Sequence, residues 1–299
     1  MPLSAYPDRD PDAVPVVLDT DTGDDVDDVF AIALAAVSPR IDLRAVITAH
    51  GDTRARARLA RRVLEECGRD DVPVYAGGRS NYSGLAAGTS MDSGAGFVPE
   101  RARVEPGDGV DALLEMVNRA PGRITVCAVG PLTNLAHAIR QDPNFATNAA
   151  RLLIMGGEFP DGPRGEYNFN CDPDAARVVI ESGAETWLGL IGPTRRAQIG
   201  TAESARMRDS GLAIGASLAG MLDQYLAVRV RDRTPMFDGA TLGELIWPEL
   251  YSWRDGMVGA DVESGRMRLR QGSDPARLME DLEPDRFCGL MLDAILAPA

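Results

Sequence analysis

The chain has 299 residues, 44% of them hydrophobic, and carries 45 acidic against 31 basic residues for a formal net charge of −14. That is enough apolar material for one sizeable α/β core. The acidic balance excludes a broad nucleic-acid or anionic-membrane surface, which needs clustered basic side chains, and points to a small-molecule substrate.

Residues 1–13, rich in Pro and Asp, lack the charged-then-apolar order of a signal peptide and are expected to be disordered. No run approaches the roughly 18 apolar residues of a membrane span. Cys67, Cys127, Cys171 and Cys288 are widely spaced, as free thiols of a reducing compartment would be. Residues 14–299 are therefore expected to form a single catalytic domain in the cytoplasm.

Val14 to Leu18 is a continuous apolar run ending at Asp19 and reads as a buried parallel strand, and Val26 to Val37 then carries helical apolar spacing. Ile41 to Thr48 reads as a strand, Thr53 to Cys67 as an Arg-rich amphipathic helix, and Val72 to Tyr75 as a short strand. This alternation predicts an α/β fold with a mostly parallel central sheet flanked by helices. Gly77 to Pro106, dense in Gly and Ser, is too long for an ordinary connection and is expected to be a mobile flap or partly ordered lid. Val110 to Asn118 returns to helix, Ile124 to Val129 is a strand, and Leu132 to Arg140 is a helix that Thr133 or Asn134 could start. Leu152 to Met155 is another strand, followed by an excursion from Gly156 to Asn170. Pro173 opens a helix just after Asp172, and Thr186 to Ile191 is a further strand. The last third is expected to be mostly helical, with one hairpin between Met257 and Leu269.

In open α/β sheets, ligands bind beyond the carboxyl ends of the strands. That rule singles out Asp19 to Asp28, His50 to Thr53, Gly130 to Asn134 and the chain from Met155 onward. The segment Asp19-Thr-Asp-Thr-Gly-Asp-Asp-Val-Asp-Asp28 puts six carboxylates into ten residues directly after a buried strand. Their repulsion calls for a counter-charge, and an all-oxygen site selects calcium or magnesium. A helix dipole accounts for one or two of these acids, not for six. An EF-hand does not fit, because a strand enters the loop and Gly23 stands where that motif needs a ligand.

The loop resembles the opening motif of the nucleoside hydrolase family, Asp-x-Asp-x-Gly followed by Asp-Asp at the start of a helix. Laid on without a gap, the second pair falls on Asp25 and Val26 and loses a ligand. Two extra loop residues put it on Asp27 and Asp28 and keep the following helix in register, and this second alignment is adopted. Further matches follow in order: Gly51-Asp52, Gly130-Pro-Leu-Thr-Asn134, Met155-Gly-Gly157 and Glu166-Tyr-Asn-Phe-Asn-Cys-Asp-Pro173. Asp238 stands where a C-terminal His-Asp pair is expected.

The resemblance implies a nucleoside hydrolase-like fold, a Ca2+ cofactor, hydrolysis of a ribonucleoside to ribose and free base, and a homodimer or homotetramer. It implies that Asp21, Asp28 and Asp238 give carboxylate oxygens to the cation, and Thr133 its backbone carbonyl. Asp21 would also be the base that deprotonates the attacking water. Asp27, Asp52 and Asn168 would hold ribose hydroxyls, Glu166 the 5′ end, and Met155 would line the sugar floor.

The chain departs from the family at three places. Phe237 replaces the histidine expected before Asp238, the segment Thr89 to Gly96 has no histidine, and Glu158 to Gly165 offers no clear asparagine for the 5′ side. The usual leaving-group acid is therefore absent. His50 precedes Gly51-Asp52 at a strand end and is either a structural residue or a ligand contact, whereas His137 lies within a helix and reads as packing. Tyr225, Arg231 and Arg233 precede Phe237 and either reach the base or form a solvated face. Two other functions fit parts of the pattern. A haloacid dehalogenase-type phosphatase shares Asp19 and Asp21 but lacks the later partners. A non-catalytic ribose or nucleoside-binding protein would explain the loss of the acid at Phe237.

Overall fold

The computed structural model describes residues 10–78, 81, 82, 84, 91–158, 165–264 and 266–297. The disorder expected for residues 1–9 lies outside this range, whereas residues 10–13 form a turn closed by Ala13 N–H donating to the Asp10 carbonyl at 2.9 Å.

Strands β1 (Val14–Thr20), β2 (Ile41–Thr48), β3 (Val74–Ala76), β4 (Thr125–Ala128), β5 (Arg151–Met155) and β6 (Thr186–Gly189) pair in parallel, in the order β3, β2, β1, β4, β5, β6. β7 (Gln198–Gly200) and β8 (Arg233–Pro235) make a separate antiparallel pair. β9 (Tyr251–Glu263), β10 (Arg266–Gln271) and β11 (Asp274–Leu282) extend the large sheet beyond β6: β11 pairs with β6 in parallel, β9 antiparallel to β11, and β10 antiparallel to β9.

β1 shows why the sheet is central. Its residues from Val16 to Thr20 are buried without a break, because helices cover both faces. Val16 and Leu18 point into one core with α1 (Asp27–Val37), α2 (Thr53–Glu66) and the helices Ala213–Arg229 and Pro284–Ile295. Val17 points into the other, with α3 (Gly109–Arg119), α4 (Thr133–Gln141) and the helix Pro173–Ile180. Full burial of a side chain such as Leu18 contributes about 1.5–3 kcal/mol, so a polar substitution there would cost at least that stability.

Several expectations are corrected. The last third is not mostly helical, because the hairpin is the longer β9–β10 and is followed by β11. Ala276, Leu278, Met279 and Leu282 are the buried positions of β11, and a register shift between Met279 and Asp281 breaks the two-residue alternation into a helix-like spacing. Neither Thr133 nor Asn134 caps α4: the cap residue is Leu132, without a side-chain bond, and both polar side chains are used elsewhere. The excursion after β5 contains a short helix, Tyr167–Cys171. The expected flap falls partly outside the described residues. Its described stretch is fastened over the acidic loop: Ser93 and Gly94 N–H both donate to the Gly23 carbonyl at 3.0 Å, and Gln224 Nε2 donates to the Asp92 and Ala95 carbonyls at 2.8 and 3.0 Å.

Candidate active site

The connections that follow β1 and β4 leave these neighbouring strands toward opposite sides of the sheet, which opens the crevice where α/β sheets take ligands. Asp19 is fully buried at this point. Asn134 Nδ2 donates to Asp19 Oδ2 at 2.7 Å and to the Thr48 carbonyl at 3.3 Å, while its Oδ1 accepts from Gly78 N–H at 2.9 Å. One amide thus joins the ends of β1, β2 and β3.

The chain then turns through Gly23 at φ 121° and enters α1 at Asp27. Asp27 and Asp28 occupy the first turn of α1, and Asp238 the first turn of the helix Phe237–Leu242, so helix N-termini face the same small volume. Carboxylate oxygens of Asp27, Asp28 and Asp238, all buried, lie within 4.8 Å of one another. The Thr20 hydroxyl donates to Asp28 Oδ1, and Asp238 N–H donates to Asp27 Oδ2 at 3.3 Å. Asp25 faces the rim instead, accepting from the Tyr225 hydroxyl at 2.9 Å and pairing with Arg229 at 3.5 Å. Arg229 also reaches Asp92 at 3.3 Å.

Burial dominates the electrostatics. It lifts Asp19 to about 7, with Asn134 pulling down and Asp21 pushing up. Asp21 also rises to about 7 through burial, against the attraction of Arg56. Asp27 rises to about 8 through burial and repulsion from Asp25, and Asp28 and Asp238 rise well above the ordinary carboxylate range through burial and repulsion within the cluster. Such a cluster is stable only with protons or a cation in it.

Across the crevice, Asn168 Nδ2 donates to the Val129 and Met155 carbonyls at 2.8 and 3.2 Å, which fixes it across the ends of β4 and β5. Glu166 caps the short helix, accepting from Asn168 N–H at 2.7 Å and Phe169 N–H at 3.0 Å. Burial lifts its carboxyl to about 7 against those backbone bonds. The Thr133 hydroxyl donates to Asp172 Oδ2 at 2.5 Å. Asp52 is exposed, and its Oδ1 caps α2 by accepting from Ala55 N–H at 3.0 Å. His50 is buried at φ 63°, and its Nδ1 has no protein partner among the described residues. Burial, then Arg56, depresses its pKa. Phe237 is half-buried and packs on the apolar core beside Asp238.

Sequence reasoning missed Arg56 and gave Asn134 and Tyr225 other tasks than the observed ones. Asn134 ties three strand ends, Tyr225 holds Asp25, and Arg56 lies fully buried beneath the loop, 3.0 Å from Asp24. A signal for Arg56 existed: at helical spacing it shares the face of Thr53, Ala57 and Ala60.

The sequence model of the inosine-uridine preferring nucleoside hydrolases matches residues 16–288. The chain belongs to that family. As a nucleoside hydrolase it is 32% identical to an uncharacterised protein of Schizosaccharomyces pombe over 83% of this chain and 85% of the other. It is 29% identical to the pyrimidine-specific ribonucleoside hydrolase RihA of Citrobacter koseri over 95% of this chain and 98% of the other. A solved plant nucleoside hydrolase superposes with a TM-score of 0.84 at 27% identity, covering 95% of this chain and 99% of that one. The purine-preferring ribonucleoside hydrolase of Gardnerella vaginalis shares the fold, with a TM-score of 0.85 at 22% identity over 94% of this hydrolase and 98% of that chain. No described helix of the hydrolase is long and apolar enough to cross a membrane.

Proposed function

We propose that this enzyme is a calcium-dependent hydrolase that cleaves the N-glycosidic bond of a ribonucleoside, giving ribose and free base. The observation that carries this reading is the buried triad Asp27, Asp28 and Asp238 at the carboxyl ends of the parallel strands. Three desolvated carboxylates need positive charge, and among the described residues no ion pair joins any of them to an arginine. An all-oxygen donor set suits calcium.

Asp28 and Asp238 belong both to this triad and to the expected ligand set, which Asp21 and the Thr133 carbonyl complete. A cation held by these oxygens would supply Lewis-acid chemistry, acidifying water in the site. Asp21 accepts the proton of the attacking water. Asp27, Asp52 and Asn168 orient the sugar hydroxyls over Met155, and Glu166 holds the 5′ end. The buried negative charge stabilises the cationic sugar that develops as the bond lengthens, so binding energy is realised in the transition state. The relatives named pyrimidine-specific make a pyrimidine nucleoside the first substrate to try. The reading places the enzyme in the cytoplasm as a homodimer or homotetramer.

Phe237 favours a second reading, a nucleoside-binding protein without turnover, because it removes a proton donor while the sugar residues remain. One experiment separates the two: reducing-sugar release from purine, pyrimidine and modified nucleosides, with and without calcium. Calcium-dependent release that Asp21→Asn lowers by several orders of magnitude and Asp27→Ala weakens chiefly through KM supports hydrolysis. Binding without release from any substrate supports the second reading.

A further inference from the structure

Arg56 is a buried charge that the hydrolytic reading leaves without a task. Its Nε donates to the His50 carbonyl at 2.7 Å, Nη1 donates to the Asp21 carbonyl and to the Thr22 carbonyl at 3.0 Å, and Nη2 donates to Asp24 Oδ2 at 3.0 Å. The three carbonyls belong to two loops, one leaving β1 and the other leaving β2. Both loops turn sharply: Gly51 at φ 66° and Gly23 at φ 121° do so freely as glycines, whereas His50 at φ 63° carries strain. A strained conformation at a residue such as His50 persists only when its surroundings hold it. The planar guanidinium, with donors in fixed directions, can grip acceptors on both loops at once, which an ammonium cannot. Asp24, in the same loop as Asp21 and Thr22, closes the fourth side.

We propose that Arg56 is a positioning residue: it clamps the Asp21 and His50 loops in register, so that Asp21 stands correctly toward cation and sugar, with Asp24 as the anchor of the clamp. Its part in turnover rests on the hydrolase reading, whereas its part in shaping the cation site can be read without turnover.

A clamp and a simple counter-charge differ in sign. Removing a counter-charge would tighten binding of a dication nearby, and replacing it by another cation would leave binding unchanged. Losing a clamp weakens binding in both cases. Arg56→Lys keeps the charge and loses the geometry, and Arg56→Met loses both. Calorimetric titration of the metal-free full chain with calcium should show each variant about tenfold or more weaker than wild type. On a nucleoside that the wild type hydrolyses, kcat should fall about a hundredfold while KM moves less than about threefold.

Tighter calcium binding by Arg56→Met, or wild-type affinity and kcat in Arg56→Lys, overturns the proposal. If thermal melts show that neither variant folds, Asp24→Ala decides, since it removes only the anchor. About a tenfold loss of calcium affinity or kcat then supports the clamp, and wild-type values overturn it. A wild-type chain that releases no sugar, but whose calcium affinity falls in both Arg56 variants, rejects the hydrolase reading and retains the clamp.

Discussion

Gly130 meets Asp21 at backbone distance: a Cβ built on Gly130 would lie 2.8 Å from both the amide nitrogen and Oδ1 of Asp21. Gly130→Ala must therefore shift either the loop after β4 or the proposed base. A displacement of about 1 Å at a reacting group costs about a hundredfold in rate, which is the expected fall in kcat. Gly192→Ala, where a Cβ meets nothing within 4 Å, is the control and should retain wild-type kcat. Wild-type turnover in Gly130→Ala would show that the β4 loop does not set the position of Asp21.

Asp52 caps α2, and the hydrolase reading gives it a second task that substitution can part from the first. As the cap of α2 it contributes about 1 kcal/mol, so Asp52→Ala should lower the melting temperature. Serine caps nearly as well, so Asp52→Ser should regain that stability. If Asp52 also holds a ribose hydroxyl, KM stays raised in both variants. Recovery of KM together with stability would confine Asp52 to capping.

Cation and pH are coupled through the carboxylates. With folded pKa values lifted from 3.8 to about 7 for Asp21 and about 8 for Asp27, the metal-free fold binds more protons than the unfolded chain. Stability from such groups is full below about pH 4 and is lost as the pH rises through 7 and 8. Calcium displaces those protons, so the gain in melting temperature on adding it should be larger at pH 8 than at pH 5. An equal gain at both would show that the cation does not bind these carboxylates.

Phe237 cannot protonate a departing base. The missing acid should cost roughly a hundredfold to ten-thousandfold on a poor leaving group, so nitrophenyl riboside should react far faster than inosine or uridine. His50→Ala tests whether His50 has taken over that role, in which case it should slow the poor leaving groups selectively. Equal rates across leaving groups, unaltered by His50→Ala, would mean that bond cleavage does not limit turnover or that another donor acts.

The sequence discloses the half of the fold in which burial is continuous. Val14 to Leu18 is an uninterrupted apolar run because helices cover both faces of a parallel sheet, whereas Ile41 to Thr48 alternates through Asp42 and Arg44 and is buried without a break only from Ala45 onward. β11 was illegible because its bulge destroys the alternation that marks a strand. The start of α1 at Asp27 and the setting aside of Asp25 could be reached from the motif, but what holds Asp25 at the rim, Tyr225, lies 200 residues away. Arg56 was hidden by its neighbours: in a helix with four other arginines a solvated face is the default, and only packing shows that Arg56 and Arg61 are inside, Arg56 against the aspartate loop. That Asp27 lies within 4.8 Å of Asp28 and Asp238 is a matter of side-chain geometry that spacing does not carry.

The hydrogen bond from Asp238 to Asp27 spans 211 positions. During synthesis, Asp27 and Asp28 leave the ribosome long before Asp238 exists, so the nascent chain carries an incomplete acidic pocket for most of its elongation. The helix Pro284–Ile295, which packs against α1, arrives later still. The acidic cluster is thus among the last features that the growing polypeptide can assemble, and loss of the final third would remove both Asp238 and the helix that backs α1.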